Sequence, residues 1–382
     1  MATLVWHTGF EYGLTAPVTF GGGLFETVTG TPVIQGTTKR TGDYALQCNP
    51  SAATRGVRKN IGGTPTIIVG RFYFNYHSIS TDGIRVFLCN PVAGGAFVFK
   101  WKTATTNIQA SIGGNGAQLS GALSADVWYR IDFRANCGVN PGTIDWAVDG
   151  VAQTQVSYAF TASTFNKVEI GDTQVAYTGE IYFDDIAVSI TTDDYPIGAG
   201  SVIGLRPNAD GTHVSAANIM EFTDGTDIRP GTTTAYTMLD ENPWITTAND
   251  DLIKQSAIEA NSYAEINFTD TTMTTINGVQ VILQYASSGA AANNGKTYIL
   301  DSDAQSTTVY DGDMSETWAF YKSIQVATPA GGWTPTYVNS LKARIGYSSD
   351  VTDVPYWLAM ILEVDGVPAV PSTWIPKVIM VM

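Results

Sequence analysis

The chain has 382 residues, and its 44% hydrophobic and 11% aromatic content excludes a disordered protein. Only 14% of the residues are charged, with a formal net charge of −15: residues 1–195 hold 15 acidic and 12 basic residues, whereas residues 196–382 hold 20 and 8. This acidity argues against nucleic acid and anionic membranes as partners, and no apolar run approaches the roughly 20 residues of a membrane helix.

Alternating apolar and polar residues predict strands throughout the first half. In residues 128–135, for example, Ile131 and Phe133 fall on one face, and Arg130 and Asp132 fall on the other. The same alternation marks residues 66–76, 96–102, 144–150 and 180–189. Each such strand has one apolar face to bury against a second sheet, so many short strands with Gly, Asn and Pro between them predict a sandwich or jelly roll.

A domain boundary is predicted near residue 195. Residues 191–200 lack alternation, mix charged residues with Pro and Gly, and coincide with the shift toward acidic composition. The fold class we expect is therefore all-β, with two β-sandwich, jelly-roll-like domains at residues 1–195 and 196–382.

The second half alternates again at residues 263–268, 279–285 and 341–347. Residues 356–364 are apolar on both faces and predict a central strand. Two short helices are expected, one from Asp250 through Asn261 and one from Pro335 to about Leu341. The apolar closing run, residues 377–382, predicts a strand or a buried contact.

An ordered set of short motifs runs through the first half. They are WHTGFE at residues 6–11, TGDYAL at 41–46, WYRI at 128–131, IDWAVDG at 144–150 and GEIYFDDIAV at 179–188. With these motifs the first half resembles the concanavalin A-like (LamG-type) jelly-roll family. In the second half, residues 338–350 followed by 355–357 are similar to virion structural proteins of tailed bacteriophages. The two resemblances imply a first domain that is concanavalin A-like and a structural role in a virion.

The three cysteines, Cys48, Cys89 and Cys137, are too few and too scattered for a disulfide framework. Each lies in or beside an apolar run, so we expect three buried thiols and folding in a reducing cytoplasm. The chain as given starts without a basic and apolar leader.

Catalytic motifs are not evident in the sequence. Retaining glycosidases of the concanavalin A-like fold carry Glu-x-Asp-x-x-Glu, and neither Glu169 with Asp172 nor Glu180 with Asp184 and Asp185 has that spacing. The three histidines form no close pair, and neither a nucleophile elbow nor a phosphate-binding loop is present. The sequence therefore predicts that the protein is not an enzyme.

Two sets of residues are candidates for binding. The acidic, turn-like segment around residues 301–316 offers carboxylates for a weak Ca²⁺ site, although the EF-hand spacing is absent and a solvated hairpin loop is the favoured explanation. Two tryptophans in loop-like surroundings are candidates for a carbohydrate contact or an interface. The metal candidates are Asp301, Asp303, Asp311 and Asp313, and the tryptophans are Trp244 and Trp333.

From these features we expect an outward-facing capsid decoration or auxiliary head protein. It would bind neighbouring virion subunits, form a homo-oligomer and reach the virion from the host cytoplasm. The alternative is a tail- or fibre-associated carbohydrate-binding protein that adheres to host glycans. An endoglycanase is a third, less favoured hypothesis.

Overall fold

The computed structural model describes residues 3–13, 24–213, 219–223, 227–230, 235–240, 252–255, 263–287, 294–300, 306–313, 320–346 and 355–369. Antiparallel strands dominate these ranges, which confirms the all-β class. No helix within them is long and apolar enough to cross a membrane.

The first half supplies strands β1 to β16. In chain order they are β1 (Leu4–Thr8), β2 (Thr27–Thr29), β3 (Val33–Gln35), β4 (Ala45–Cys48), β5 (Ala53–Asn60), β6 (Ile67–Ile79), β7 (Arg85–Pro91), β8 (Phe97–Lys102), β9 (Asn107–Ile112), β10 (Asn115–Leu119), β11 (Tyr129–Asn136), β12 (Gly142–Val148), β13 (Val151–Ala152), β14 (Val156–Tyr158), β15 (Phe165–Tyr177) and β16 (Gly179–Ser189).

These strands form two antiparallel sheets. Counted over the described residues, one is nine-stranded, in the order β13-β12-β11-β6-β16-β4-β3 with β1 on β16 and β14 on β12. The other is seven-stranded, in the order β10-β9-β8-β7-β15-β5-β2. Phe72 of the first sheet stacks on Phe87 of the second with ring centroids 4.6 Å apart, so the two sheets face each other across one aromatic core.

The alternation predicted from the sequence places the core residues correctly. Phe97, Phe99 and Trp101 point into the core from β8, and Ile131 and Phe133 do so from β11. The residues between them face outward, as the period of two requires.

The second half supplies strands β17 to β28 and one short helix. They are β17 (Ser201–Leu205), β18 (Pro207–Asp210), β19 (Ile219–Thr223), β20 (Asp227–Pro230), β21 (Leu252–Gln255), β22 (Tyr263–Phe268), β23 (Met273–Ser287), β24 (Asn294–Leu300), β25 (Ser306–Asp313), β26 (Phe320–Gln325), α1 (Pro335–Asn339), β27 (Lys342–Gly346) and β28 (Pro355–Pro368). Single 3-10 turns lie at Thr192–Asp194 and Ala235–Met238.

Two further sheets organise this half. One has the order β20-β19-β21-β28-β23-β26, with β17 on β28, and the other has the order β18-β22-β27-β24-β25. Val281 and Leu362 of the first sheet and Ile266 and Ala343 of the second lie in a separate apolar core. The predicted boundary near residue 195 falls between β16 and β17, and no described strand is shared between the two pairs of sheets.

Strand β28 confirms the prediction of a central strand, because both of its faces are covered. Met360 and Leu362 point into the core of the second half, while Ala359 and Ile361 pack against the core of the first half. The sheet that contains β28 thus also forms the contact between the two halves.

One of the two predicted helices is present. α1 starts at Pro335, and the Thr334 side chain caps it by accepting a hydrogen bond from the Tyr337 amide at 3.1 Å. The helix expected from Asp250 is wrong over Leu252–Gln255, which is strand β21. There Ile253 is fully buried and pairs with Trp357 of β28, so tertiary pairing overrides the local helix signal. Residues 377–382 lie outside the described residues.

Candidate functional site

The outer face of the nine-stranded sheet carries a group of aromatic and polar side chains that we call the shelf. Alternation along β6 places Tyr73, Asn75 and His77 on this face, opposite the core residues Phe72, Phe74 and Tyr76. Tyr73 and Asn75 pair with Asp184 and Tyr182 of β16. The shelf comprises Gln47, Tyr73, Asn75, Trp128, Arg130, Glu180 and Tyr182.

A hydrogen-bonded hub occupies one end of the shelf. Glu180 accepts hydrogen bonds from the Gln47 amide at 2.7 Å and from the Tyr182 hydroxyl, and Gln47 also reaches that hydroxyl at 3.3 Å. Burial and the bond to Glu180 raise the pKa of Tyr182, which keeps its hydroxyl protonated at neutral pH. All of these bonds use one oxygen of Glu180, so its second oxygen can accept a hydrogen bond from a ligand.

Asn75 stands at the centre of the shelf with an unsatisfied side chain. It is only 3% exposed, and its Oδ1 atom has no hydrogen-bond partner within the described structure. Most buried polar atoms are paired, because leaving one unpaired costs about 1–3 kcal/mol. An unpaired acceptor on an outer face is therefore the kind of atom that a bound ligand satisfies.

Trp128 borders this asparagine. It precedes β11 and lies two residues before Arg130, which pairs with Tyr73, so alternation places the indole on the shelf side of the sheet. Trp128 is half-buried, whereas Trp101 and Trp146 are at the centre of the core. Trp128 is therefore partly accessible to solvent, unlike these two core tryptophans.

Arginines flank Tyr73 on both sides. The guanidinium of Arg40 lies 3.5 Å from the Tyr73 ring centroid, a cation–π contact, and Arg130 pairs with Asp132 at 2.6 Å. Arg40 is in turn bound to Asp185. Both arginines are thus neutralised by buried carboxylates.

The segment between the halves covers the rest of this face. Gly198 donates its amide to Asp132 at 2.9 Å, the Tyr195 ring lies under the Arg134 guanidinium, and Asp194 binds the Ser189 hydroxyl. The shelf is the part of this face that lies beyond these contacts. Its buried residues are Tyr73, Asn75 and Tyr182, and its partly exposed residues are Gln47, Trp128, Arg130 and Glu180.

A second polar group, which we call the clasp, is sealed between the two halves. Glu363 of β28 accepts hydrogen bonds from the Glu11 amide at 2.9 Å, from the Thr8 hydroxyl at 3.3 Å and from the Gln280 amide at 2.9 Å. Burial raises the pKa of Glu363 to about 7 and that of Glu11 well above its ordinary value. The clasp also contains the ion pair between Arg71 and Asp365.

The space beside the clasp is too small for a ligand. A cleft lined by Trp6, Tyr12, Phe25 and Gln280 has no space for even one water molecule, whereas ligand pockets enclose roughly 300–1,000 Å³. The clasp is therefore a joint between the halves, and the shelf is the candidate for binding.

The tryptophans predicted from the sequence do not form this site. Trp333 is only 2% exposed, packs edge-on against Tyr337 and belongs to the core of the second half, so its ring has no open face for a sugar. Trp244 lies outside the described residues. Trp128 was the informative tryptophan, since it falls on the polar face of its own alternating segment.

The predicted Ca²⁺ ligands remain a prediction. Asp301 and Asp303 lie outside the described residues, while Asp311 and Asp313 belong to β25, where only the backbone is described. Within the described residues, no three His, Cys, Asp or Glu side chains are grouped to hold a metal ion.

Apart from Glu180, which belongs to the shelf, the carboxylates that we considered for glycosidase chemistry are engaged in structural bonds or buried. Glu169 binds Arg58, Asn90 and Thr173, and Asp172 accepts hydrogen bonds from the backbone amides of Gln174 and Val175 in its own turn and from that of Arg85 in β7. Asp184 and Asp185 are fully buried. The three cysteines are buried and unpaired, as predicted.

No family model matches the chain, and no curated protein matches it. Among solved structures it is similar to the cellulose induced protein Cip1, with 12% identity, a TM-score of 0.34, and coverage of 43% of this chain and 87% of that chain. It is also similar to domain 4 of AbnA, a GH43 extracellular arabinanase from Geobacillus stearothermophilus in complex with arabinotriose, with 15% identity, a TM-score of 0.35, and coverage of 49% and 92%. A third is a Trypanosoma rangeli sialidase, with 10% identity, a TM-score of 0.32, and coverage of 46% and 30%.

These similarities correct one expectation. The sequence predicted that the protein is not an enzyme. That prediction is wrong, because sialidases are among the solved structures that the chain resembles. At such low identities and TM-scores the likeness transfers no activity to this chain. None of the three structures is named as a phage protein.

Proposed function

We propose that this protein binds carbohydrate through the shelf on the outer face of its nine-stranded sheet. This is the alternative that the sequence left open, now assigned to other residues. The observation that carries the proposal is the buried, unpaired Oδ1 atom of Asn75 between Trp128 and the hub of Gln47, Glu180 and Tyr182.

The chemistry of the shelf suits a sugar. An aromatic ring can cover the apolar C–H face of a pyranose or furanose, and Trp128 presents such a ring. Asn75 and Glu180 each have an acceptor oxygen without a hydrogen-bond partner among the described residues, and hydroxyl groups of a sugar are donors of the kind that could pair with them. The strands β6 and β16 hold these acceptors in fixed positions, which limits the entropy lost on binding.

The ionic groups on the shelf favour a neutral ligand. Arg130 and Arg40 are each paired with an aspartate, whereas Glu180 is bonded only to neutral groups. The net charge of −15 further repels polyanions. We therefore expect neutral, hydroxyl-rich glycans to bind in preference to uronates.

Affinity electrophoresis through gels that contain soluble neutral polysaccharides tests the proposal. A panel of arabinan, xylan, mannan and mixed-linkage glucan should retard the protein in at least one gel. Trp128→Ala should abolish the retardation, whereas Tyr158→Ala, which removes a solvent-exposed tyrosine on β14, should leave it unchanged. No retardation by any member of the panel, or equal retardation of both variants, would refute the proposal.

The virion location and the virion partners predicted from the sequence stay predictions. A virion location is compatible with a glycan-binding role, because the alternative drawn from the sequence is a tail- or fibre-associated protein that adheres to host glycans. Peptide mass spectrometry of purified particles tests them: this chain should be present at high copy number, and its absence from particles would contradict them.

A further inference from the structure

The seven-stranded sheet of the first half is strongly basic, although the protein as a whole is acidic. Its strands contain seven basic residues and two acidic ones, whereas the strands of the nine-stranded sheet contain three basic and five acidic residues. The basic residues are Arg55, Arg58, Lys59, Arg85, Lys100, Lys102 and Lys167.

Five of these side chains are on the outer face of the sheet, which we call the basic face. Alternation with core residues places Arg58, Lys100, Lys102 and Lys167 outward, and Arg85 pairs with Lys100. Glu169 is the acidic residue that shares this face, and it pairs with Arg58 at 2.8 Å.

The remaining cations are only partly neutralised. Lys102 pairs with Asp82, and Arg85 binds the neutral amide of Gln174. Lys100 and Lys167 have no carboxylate within ion-pair distance in the described part of the chain. An excess of positive charge is therefore held on one face of an acidic protein.

The apolar residues at the middle of the basic face indicate what kind of contact this face can make. Leu88 and Val98 occupy its middle row, yet they are only 1% and 3% exposed. Docking a partner would bury little additional apolar area, so attraction must come from charge. The face also lacks an aromatic residue on its outward positions in β7 and β8, in contrast to the shelf.

We infer that the basic face docks the acidic second half of another copy of this chain. Residues 196–382 carry 20 acidic and 8 basic residues, so each molecule contains both a negative half and a positive face. Such a charge dipole favours head-to-tail contact, in which different surfaces of two copies meet. Within the described residues, the hydrogen bonds between the halves involve residues such as His7, Lys59, Arg71, Asp132 and Asp185, and none involves a residue of β7 or β8.

Sedimentation velocity at low and high salt tests this inference on the full chain. At about 20 mM salt the wild type should self-associate, and at about 500 mM it should be monomeric, because screening weakens contacts between exposed charges. Lys100→Glu combined with Lys167→Glu should weaken the association at low salt by about tenfold or more. Lys39→Glu, which reverses a charge in a loop away from this face, should leave it within about twofold.

Three results of the sedimentation experiment would overturn the inference. They are a monomer at every salt concentration, association that the double variant does not weaken, and association that is insensitive to salt. Binding of dextran sulfate to the basic face without self-association would also overturn it, and would assign the face to a soluble polyanion instead. The double variant should still bind polysaccharide in affinity electrophoresis. A loss of self-association with polysaccharide binding intact therefore concerns the basic face and not the shelf.

Discussion

Arg71 and Asp365 form an ion pair although they are 294 residues apart in the sequence, and both side chains are fully buried. Arg71 lies on the outer face of the nine-stranded sheet and Asp365 on β28, so this pair joins the two halves directly. Arg71 also donates to the carbonyl of Asp185 at 3.1 Å, and Asn277 donates to Asp365 at 2.8 Å. The additional bonds offset part of the cost of burying two charges.

Neutralising one member of this pair should strongly destabilise the protein. Asp365→Asn leaves the Arg71 guanidinium buried without a counter-charge, and the expected loss is about 3–5 kcal/mol in the free energy of unfolding. Replacing both residues, as in Arg71→Met with Asp365→Leu, should cost less than Asp365→Asn alone. Chemical denaturation of the three proteins measures this, and a double variant less stable than the single one would contradict the account.

Gly200 should tolerate no side chain, since the segment between the halves runs directly over Arg71. A Cβ atom at Gly200 would lie 2.3 Å from Arg71 Nη1 and 2.9 Å from the Gly366 carbonyl. Gly200→Ala should therefore lower the free energy of unfolding by about 1–3 kcal/mol. Gly121→Ala is the matched control, because a Cβ atom at Gly121 would meet nothing within 4 Å; equal stability of both variants would be evidence against this packing.

The clasp should make stability depend on pH. Burial raises the folded-state pKa of Glu363 to about 7 from an ordinary 4.5. The protonated Glu363 therefore contributes fully to the free energy of unfolding below pH 4.5, and this contribution is lost as the pH rises through 7. A pKa higher by about 2.5 corresponds to about 3 kcal/mol. Burial lowers the pKa of His7 below its ordinary 6.5. The shift at His7 has the opposite effect, because it reduces the stability of the protein as the pH falls below 6.5.

Comparison with Glu363→Gln isolates this effect, since His7 and Glu11 are present in both proteins. The stability of the wild type relative to the variant should decline between pH 4.5 and pH 7.5. Thermal unfolding at several pH values measures the difference, and a difference that stays constant across that range would show that Glu363 does not titrate in the clasp.

The strands and their inward faces could be predicted from the sequence because they depend on local alternation. The inward positions of Phe97, Phe99 and Trp101 follow from a period of two, and the start of α1 follows from Pro335. The helix expected from Asp250 failed because Ile253 pairs with Trp357, a residue about a hundred positions away in the chain.

The candidate site was largely beyond sequence reasoning. Asn75 and Tyr182 look like ordinary polar-face positions of two strands, and only the register between β6 and β16 brings them together. The clasp depends on pairs such as Glu11 and Glu363, whose separation of 352 residues leaves no local signal. Trp128 was the indication of the binding site that the sequence contained, because it lies among charged residues on the polar face of its strand.

Titration calorimetry of wild type and Asn75→Leu, with an oligosaccharide taken from the best polysaccharide of the panel, tests the carbohydrate-binding role most directly. Leucine keeps the branched shape of the Asn75 side chain and removes the acceptor that the sugar would satisfy, so binding should weaken by about tenfold or more, as expected for one buried hydrogen bond. Thermal unfolding should show that the variant is folded. Unchanged affinity in a folded Asn75→Leu variant would contradict binding at the shelf.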